Sequence, residues 1–263
     1  MFSELYLTKV ALGDDIPSES YLSRLPVVRH LRSMGEFRFQ SRVTFLVGEN
    51  GAGKSTLLEA IALCFGFNPE GGTVNYSFTT EDSHSAFYRY LTVGRGVRRP
   101  RDGFFLRAES FYNAASYLNA LHREDPLALQ SYGGVSLHEQ SHGESFLSLV
   151  EHRFGANGLY LLDEPEAALS PLRQMSLMCR IGELVKQNCQ FVICTHSPIL
   201  MTFPGAEIFE LSEQGIQSVS YQQTQHYQLT REFLQTPERL LRILFDGESG
   251  QDLFAHHEEE NCF

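Results

Sequence analysis

Eight consecutive residues, Gly48-Glu49-Asn50-Gly51-Ala52-Gly53-Lys54-Ser55, meet the pattern GxxxxGK[ST] at every specified position. Glycines let a backbone turn tightly enough for several N–H groups to converge on one anion. A helix that begins at the same point adds its positive end. The chemistry this spacing implies is phosphate capture. The loop cradles the anion, Lys54 reaches the β/γ-phosphates, and the Ser55 hydroxyl is an oxygen ligand for Mg²⁺. Thr56 follows in the same binding stretch.

A second group of residues supplies charge. Leu159 to Leu162 is an unbroken apolar run that ends in Asp163 and Glu164. Two carboxylates at the end of a buried strand are costly without a task. Beside a phosphate loop, Asp163 would hold Mg²⁺ and Glu164 would polarise an attacking water as general base. Thr195-His196-Ser197-Pro198 follows another short apolar run, and His196 could contact the terminal phosphate and orient that water.

His138-Glu139-Gln140-Ser141-His142 also fits HExxH, a zinc-protease pattern with Glu139 as base and Glu164 as a conceivable third ligand. Gly143 directly after His142, Gly133-Gly134 upstream and polar flanks weigh against a metal-bearing helix. The same stretch reads better as Ser141-His142-Gly143-Glu144 opening an amphipathic helix. A Ser and a Gly at a helix start form a second anion site. With the first loop complete in itself, that site makes sense for a nucleotide held by another copy of the chain.

The elements that must position these groups can be read from periodicity. Strands are expected at 1–12, 42–47, 103–108, 158–163 and 191–195, with a hairpin over 207–211 and 216–221. Helices are expected at 55–65, 111–123, 144–154 and 171–186. A helical C-terminal segment, 229–247, carries a helix with Thr236 as N-cap and Pro237 at its first position. Residues 14–36, with Pro17 and Pro26, read as loop with short pieces of structure, and 67–103 as an inserted or peripheral segment of one domain. Strands alternating with helices predict an α/β layer with a largely parallel sheet.

The chain has 263 residues, 42% of them hydrophobic, which excludes wholesale disorder. A net charge of −11 argues against a surface that binds nucleic acid everywhere. It leaves room for a local patch at Arg95, Arg98, Arg99, Arg101 and Arg107. The five cysteines form no CxxC pair and suggest reduced thiols in a cytoplasmic protein. No leader-like start and no apolar run approaching 18 residues is present, so no membrane-spanning segment is expected.

In this order and spacing the motifs resemble the ABC-type ATPases. GENGAGKST resembles their Walker A, Ser141-His142-Gly143-Glu144 a degenerate signature, and LYLLDEP a Walker B with its catalytic Glu164. Ala168-Leu169-Ser170 resembles the D-loop and His196 the switch histidine. GENGAGKSTLLEAIA, FFLRAESFYN, SLHEQSHGESFL, LLDEPEAALSP and THSPIL are similar to the small standalone AAA family ATPases of the SMC/RecF-like or OLD-like kind. The resemblance implies an α/β P-loop NTPase fold, a mainly parallel sheet flanked by helices plus an antiparallel β portion. It implies ATP and Mg²⁺ as ligands and an ATP-sandwiched homodimer that drives an unknown partner. Ser141, Gly143 and Glu144 would complete the site of the other copy. Catalysis would fall to Glu164 and His196, and metal binding to Ser55 and Asp163. Nucleic-acid handling or antiviral defence through the arginine cluster, and a transporter's ATP-binding subunit, stand as alternatives. No glutamine follows the loop at the Q-loop distance, where Glu109 is the nearest substitute. There is no room for a long coiled coil between the two halves, and no nuclease domain is expected within this sequence.

Overall fold

The runs VTFLVG, GLYLLD and QFVIC are buried at every position, as strands covered on both faces must be. They form β3 (Val43–Gly48), β6 (Gly158–Asp163) and β7 (Gln190–Cys194). The computed structural model describes residues 4–13, 16–69, 71–73, 85–107 and 142–246. The expected helix at 111–123 lies outside these residues, as do Glu109 and Ser141.

Three more strands complete the main sheet: β5 (Asp102–Arg107), β8 (Glu207–Ser212) and β9 (Gly215–Val219). Its order is β5-β6-β7-β3-β8-β9. The first five are parallel and β9 returns antiparallel from β8. A second, antiparallel sheet holds β1 (Leu7–Leu12) between β2 (Glu36–Arg38) and β4 (Leu91–Arg95). The fold is an α/β P-loop NTPase with an added antiparallel sheet, as expected.

Alternation along the parallel strands divides the core. Leu46, Leu161, Val192 and Cys194 face one side, with α1 (Pro26–Met34), α2 (Lys54–Phe65) and the small sheet. Phe45, Tyr160, Leu162, Phe191 and Ile193 face the other, under α3 (His142–Arg153) and α4 (Pro171–Lys186). In α3 the stripe Phe146, Leu149 and Val150 is fully buried. At about 2 kcal/mol for each such side chain, it outweighs the cost of about 1 kcal/mol for Gly143 in the first turn. Two further helices, α5 (Gln225–Gln235) and α6 (Pro237–Asp246), close the described chain.

The structure corrects two readings. Residues 26–34 are helix, not loop. Pro26 occupies the first helical position, where its missing N–H has no partner to lose, and Val27, Val28 and Leu31 bury the inner face. Within 67–103, Leu91–Arg95 pairs with β1, and the 3-10 turn Ala86–Tyr90 packs on α2. Its signal was masked by Gly94, a poor strand former.

One buried side chain ties the two sheets together. Gln190, at the start of β7, accepts from the Tyr6 and Leu7 amides at 2.8 and 2.9 Å and donates to the Leu7 carbonyl at 2.9 Å. It is completely buried. Replacing it by Leu keeps the volume but strands three backbone groups. Urea titration of Gln190→Leu should show a loss of at least about 3 kcal/mol, at about 1–3 kcal/mol for each buried group left unpaired; an unchanged midpoint would mean the groups find other partners.

Candidate nucleotide site

The loop after β3 is built from backbone strain that only glycine tolerates. Gly48 has φ 132°, and a Cβ there would lie 2.1 Å from the Leu211 carbonyl oxygen of β8. Gly53 has φ 92°, and its Cβ would meet Val27 Cγ1 at 2.6 Å. The helix α1 is therefore the wall against which the loop turns. Between these glycines lie Glu49, Asn50, Gly51 and Ala52; Lys54, Ser55 and Thr56 open α2.

Lys54 is only 4% exposed. Its ammonium donates to the carbonyls of Gly48 and Glu49 at 2.7 and 2.9 Å. Burial pushes its pKa down, while the acidic groups of Asp163, Glu164 and Glu166 oppose that shift.

The carboxylates come from the neighbouring strand ends. Cys194 is the register partner of Leu46 on one side and Asp163 on the other. The carboxyl ends of β6, β7 and β3 thus stand side by side, about 4.8 Å apart, at the edge where open α/β sheets bind ligands. Ser55 Oγ donates to Asp163 Oδ1 at 2.9 Å. Glu164 adopts a left-handed conformation, φ 49° and ψ 51°, and its N–H donates to the Cys194 carbonyl at 3.0 Å. This conformation is uncommon for a residue with a side chain, and it turns the carboxylate out of the strand direction.

His196 completes the group. Its Nε2 lies 3.7 Å from Glu164 Oε1, and its N–H donates to Glu166 Oε1 at 2.5 Å. Its Nδ1 lies 2.8 Å from Nε2 of His226, on α5. Burial, reinforced by the Lys54 ammonium and by His226, pushes the His196 pKa down to about 4. A cavity of about 410 Å³ opens here, lined by Glu49, Asn50, His196, Gln225, His226 and Leu229.

The signature-like segment packs onto the turn that follows Glu164. Gly143 and Glu144 lie in the first turn of α3. A Cβ on Gly143 would lie 2.8 Å from the Ala168 carbonyl oxygen and 2.5 Å from Arg173 Nη1. Glu144 forms an ion pair with Arg173 at 2.9 Å. Of the HExxH stretch, His138 to Ser141 and the His142 side chain lie outside the described residues. Among the described residues no cluster of three or more His, Cys, Asp or Glu could hold a metal.

Four residues here escaped the sequence reading in these roles. Arg107 belongs to this site: its Nη1 pairs with Glu59 Oε2 at 2.8 Å and its Nε lies 3.8 Å from Asp163 Oδ2. Glu59 could have been found as the one acid on an otherwise apolar helix. Glu166 stands within DEPE, but nothing local marks its hydrogen bond to His196. His226 has no local signal at all. The arginine cluster is thereby divided. Arg95, Arg98, Arg99 and Arg101 lie at the amino end of β5, away from Arg107 at its carboxyl end. With Tyr6, Phe65 and Phe67 they line a separate cavity of about 280 Å³. Arg95 donates to the Cys64 carbonyl at 2.7 Å and lies over the Phe65 ring.

The sequence is similar to those of known nucleotide-binding proteins. A family model described as an AAA domain matches residues 28–102, from α1 through the loop to the start of β5. An uncharacterized ABC transporter ATP-binding protein of Haemophilus influenzae is 28% identical over 72% of this chain and 75% of its own. The chain is an ATPase similar to the ABC type. The ribose import ATP-binding protein RbsA of Bacillus cereus is 26% identical to this ATPase over 65% of the chain, which spans 37% of that protein. The SMC head domain from Thermotoga maritima is 18% identical, with TM-score 0.42, covering 82% of this chain and 99% of that one. No helix among the described residues of the ATPase is long and apolar enough to cross a membrane.

The depressed His196 pKa has a consequence for stability. The unfolded ring protonates near pH 6.5, whereas the folded ring resists until about pH 4. Across that window the folded ATPase binds fewer protons, so its stability must fall as pH drops from 6.5 toward 4. Urea unfolding at pH 7, 6 and 5 should show a shallower decline for His196→Gln than for the natural chain. Equal slopes would mean that His196 titrates normally.

Proposed function

We propose that this ATPase is a single-domain, cytoplasmic protein that hydrolyses ATP within a nucleotide-sandwiched homodimer and thereby moves a partner. The observation that carries this reading is the convergence of Lys54, the Ser55–Asp163 pair, Glu164 and His196 at one edge of the sheet. Gly48 to Gly53 and Thr56 would surround the phosphates, and Lys54 would turn from the loop carbonyls to the β/γ-phosphates.

Ser55 Oγ and Asp163 Oδ1 are hard oxygen donors 2.9 Å apart. That set suits Mg²⁺, which takes one or two protein oxygens and leaves its other positions to phosphates and water. When bound, the metal supplies positive charge that stabilises the phosphoryl oxygens. Glu164 would accept the proton of the attacking water, and His196 would donate to the γ-phosphate. Ser141, Gly143 and Glu144 of a second copy would cap the same nucleotide. The close seat of Gly143 on the Ala168 carbonyl supports this reading, because it ties the capping segment to the turn that carries Glu164.

Two readings of the partner have support of different kinds. The names of the curated relatives favour a membrane transporter. The cavity at the opposite end of β5 favours nucleic acid. Arg98, Arg99 and Arg101 are exposed there, beside Phe65, Phe67 and Tyr6. Arginines beside aromatic rings suit phosphates and unstacked bases. If this surface binds single strands, affinity should fall steeply with salt, with a log–log slope of about −0.7 per phosphate contacted. Reversing Arg98, Arg99 and Arg101 to Glu should abolish it in a fluorescence titration. A salt-independent signal, or no binding by the natural chain, would leave the transporter reading.

For the hydrolytic assignment, Glu164→Gln should retain nucleotide and lose turnover by at least about 100-fold. In ATP the variant should accumulate as a dimer by light scattering. Turnover at the natural rate would remove Glu164 from the role of base.

A further inference from the structure

A neutral imidazole carries its proton on one nitrogen only, and only the Nε2–H form of His196 can donate to a phosphate at Glu164. His226 is the group that touches the other nitrogen. The two ring centroids are 5.0 Å apart and tilted by 60°, so the 2.8 Å contact is an edge-to-edge hydrogen bond, not a stack.

That bond holds one proton, and two arrangements share it. In the first, His196 Nδ1–H donates to His226 Nε2. His196 Nε2 is then a bare lone pair 3.7 Å from the Glu164 carboxylate. His226 must then carry its own proton on Nδ1, which is buried without a partner. In the second, His226 Nε2–H donates to His196 Nδ1. The His196 proton then sits on Nε2, which is buried without a hydrogen-bond partner but lies 3.7 Å from the Glu164 carboxylate, and the buried His226 Nδ1 is only an acceptor without a donor. The first arrangement sets lone pair against carboxylate and strands a donor. Each arrangement leaves one buried donor unbonded, but the second points that donor at the Glu164 carboxylate instead of setting a lone pair against it, and a proton facing an anion is the favourable case.

We infer that His226 is a positioning residue that locks His196 in the Nε2–H tautomer, making it a donor to the γ-phosphate of bound ATP. This inference rests on the ATPase site as read above. The logic is that of a metal- or nucleophile-bound histidine, whose tautomer is set by the partner of its other nitrogen. His226 can do this because its helix start is pinned. Thr224, fully buried, accepts from the Tyr227 N–H at 3.3 Å as the cap of α5. The Gln225 N–H donates to Glu210 Oε1 on β8 at 3.1 Å, and Gln225 Nε2 lies 3.4 Å from Glu49 Oε1 in the loop. Burial first, and then the nearby Lys54 ammonium, disfavour a charged ring at both histidines, while Glu210 and Glu49 pull the other way at His226. The helix α5 thus reaches the reaction through one hydrogen bond.

The test compares His226→Phe, which keeps the ring and removes the donor, with His226→Gln, whose amide N–H can replace it. Measured on the full chain, kcat for ATP should fall about 10-fold in His226→Phe, within the range for loss of an orienting partner. KM and nucleotide affinity should stay within about twofold, and His226→Gln should recover most of the rate. The ¹⁵N shifts of the His196 ring, read in parallel, should report the Nε2–H form in the natural chain and in His226→Gln, and a mixture in His226→Phe. Unchanged kcat in His226→Phe would overturn the inference, as would a Gln variant as slow as the Phe one or an Nδ1–H form in the natural chain. If His226→Phe fails to fold, the ring shifts of the natural chain and the rate of the Gln variant still decide it. His196→Ala and Glu164→Gln serve as controls: if both hydrolyse normally, the site reading itself fails, whatever His226 does.

Discussion

A lysine ammonium that is nearly sealed from water is the constraint around which this molecule is organised. Alone, such a charge would be expensive to bury. Lys54 is tolerable because two loop carbonyls accept from it and acidic groups surround it. Those carbonyls are available because Gly48 and Gly53 hold a backbone that residues with side chains would break. The acids stand nearby because β6 and β3 flank β7 in the parallel sheet. Loop, sheet order and charge are one solution to one problem.

The same balance extends outward as a chain of alternating charge. Glu59 pairs with Arg107, whose guanidinium reaches toward Asp163, which accepts from Ser55. Arg107 neutralises two acids that would otherwise repel across the site. Its place at the end of a buried strand explains why it, unlike Arg98, Arg99 and Arg101, is drawn inward. Such partly buried pairs are costly to break singly, because the remaining partner is left uncompensated. The acids around Lys54 are therefore held in number as well as in position.

What was legible in the sequence was what is local. The phosphate loop is eight contiguous residues, and Asp163 and Glu164 end an apolar run that can be only a buried strand. The parallel strands and the helices at 54–65, 142–153 and 171–186 declare themselves by period and by their Gly and Pro ends. What was hidden was set at a distance. The helix at 26–34 hides behind Pro26, read as a break although it sits where proline belongs. β4 is a strand only because β1 offers it an edge. His226 is 30 residues from His196, and its neighbours Gln225 and Tyr227 give no hint of which ring it meets. Arg107 was visible, but sequence proximity grouped it with arginines that the length of β5 carries to the other end of the sheet.

The strand pairing also dictates when this protein can begin to work. β3 bears the phosphate loop, yet both of its neighbours, β7 and β8, come from the far half of the chain, with Val43 opposite Phe191 and Thr44 opposite Glu207. Gln190 ties down Tyr6 across 184 residues. On a ribosome adding about 5–20 residues per second, the loop and its helix are made several seconds before the strands that hold them. Until then the loop is a glycine-rich segment with nothing to shape it. Nucleotide capture is thus a late event in the life of each new chain, and a truncated copy that stops before β8 carries the full phosphate-binding motif with no means of using it.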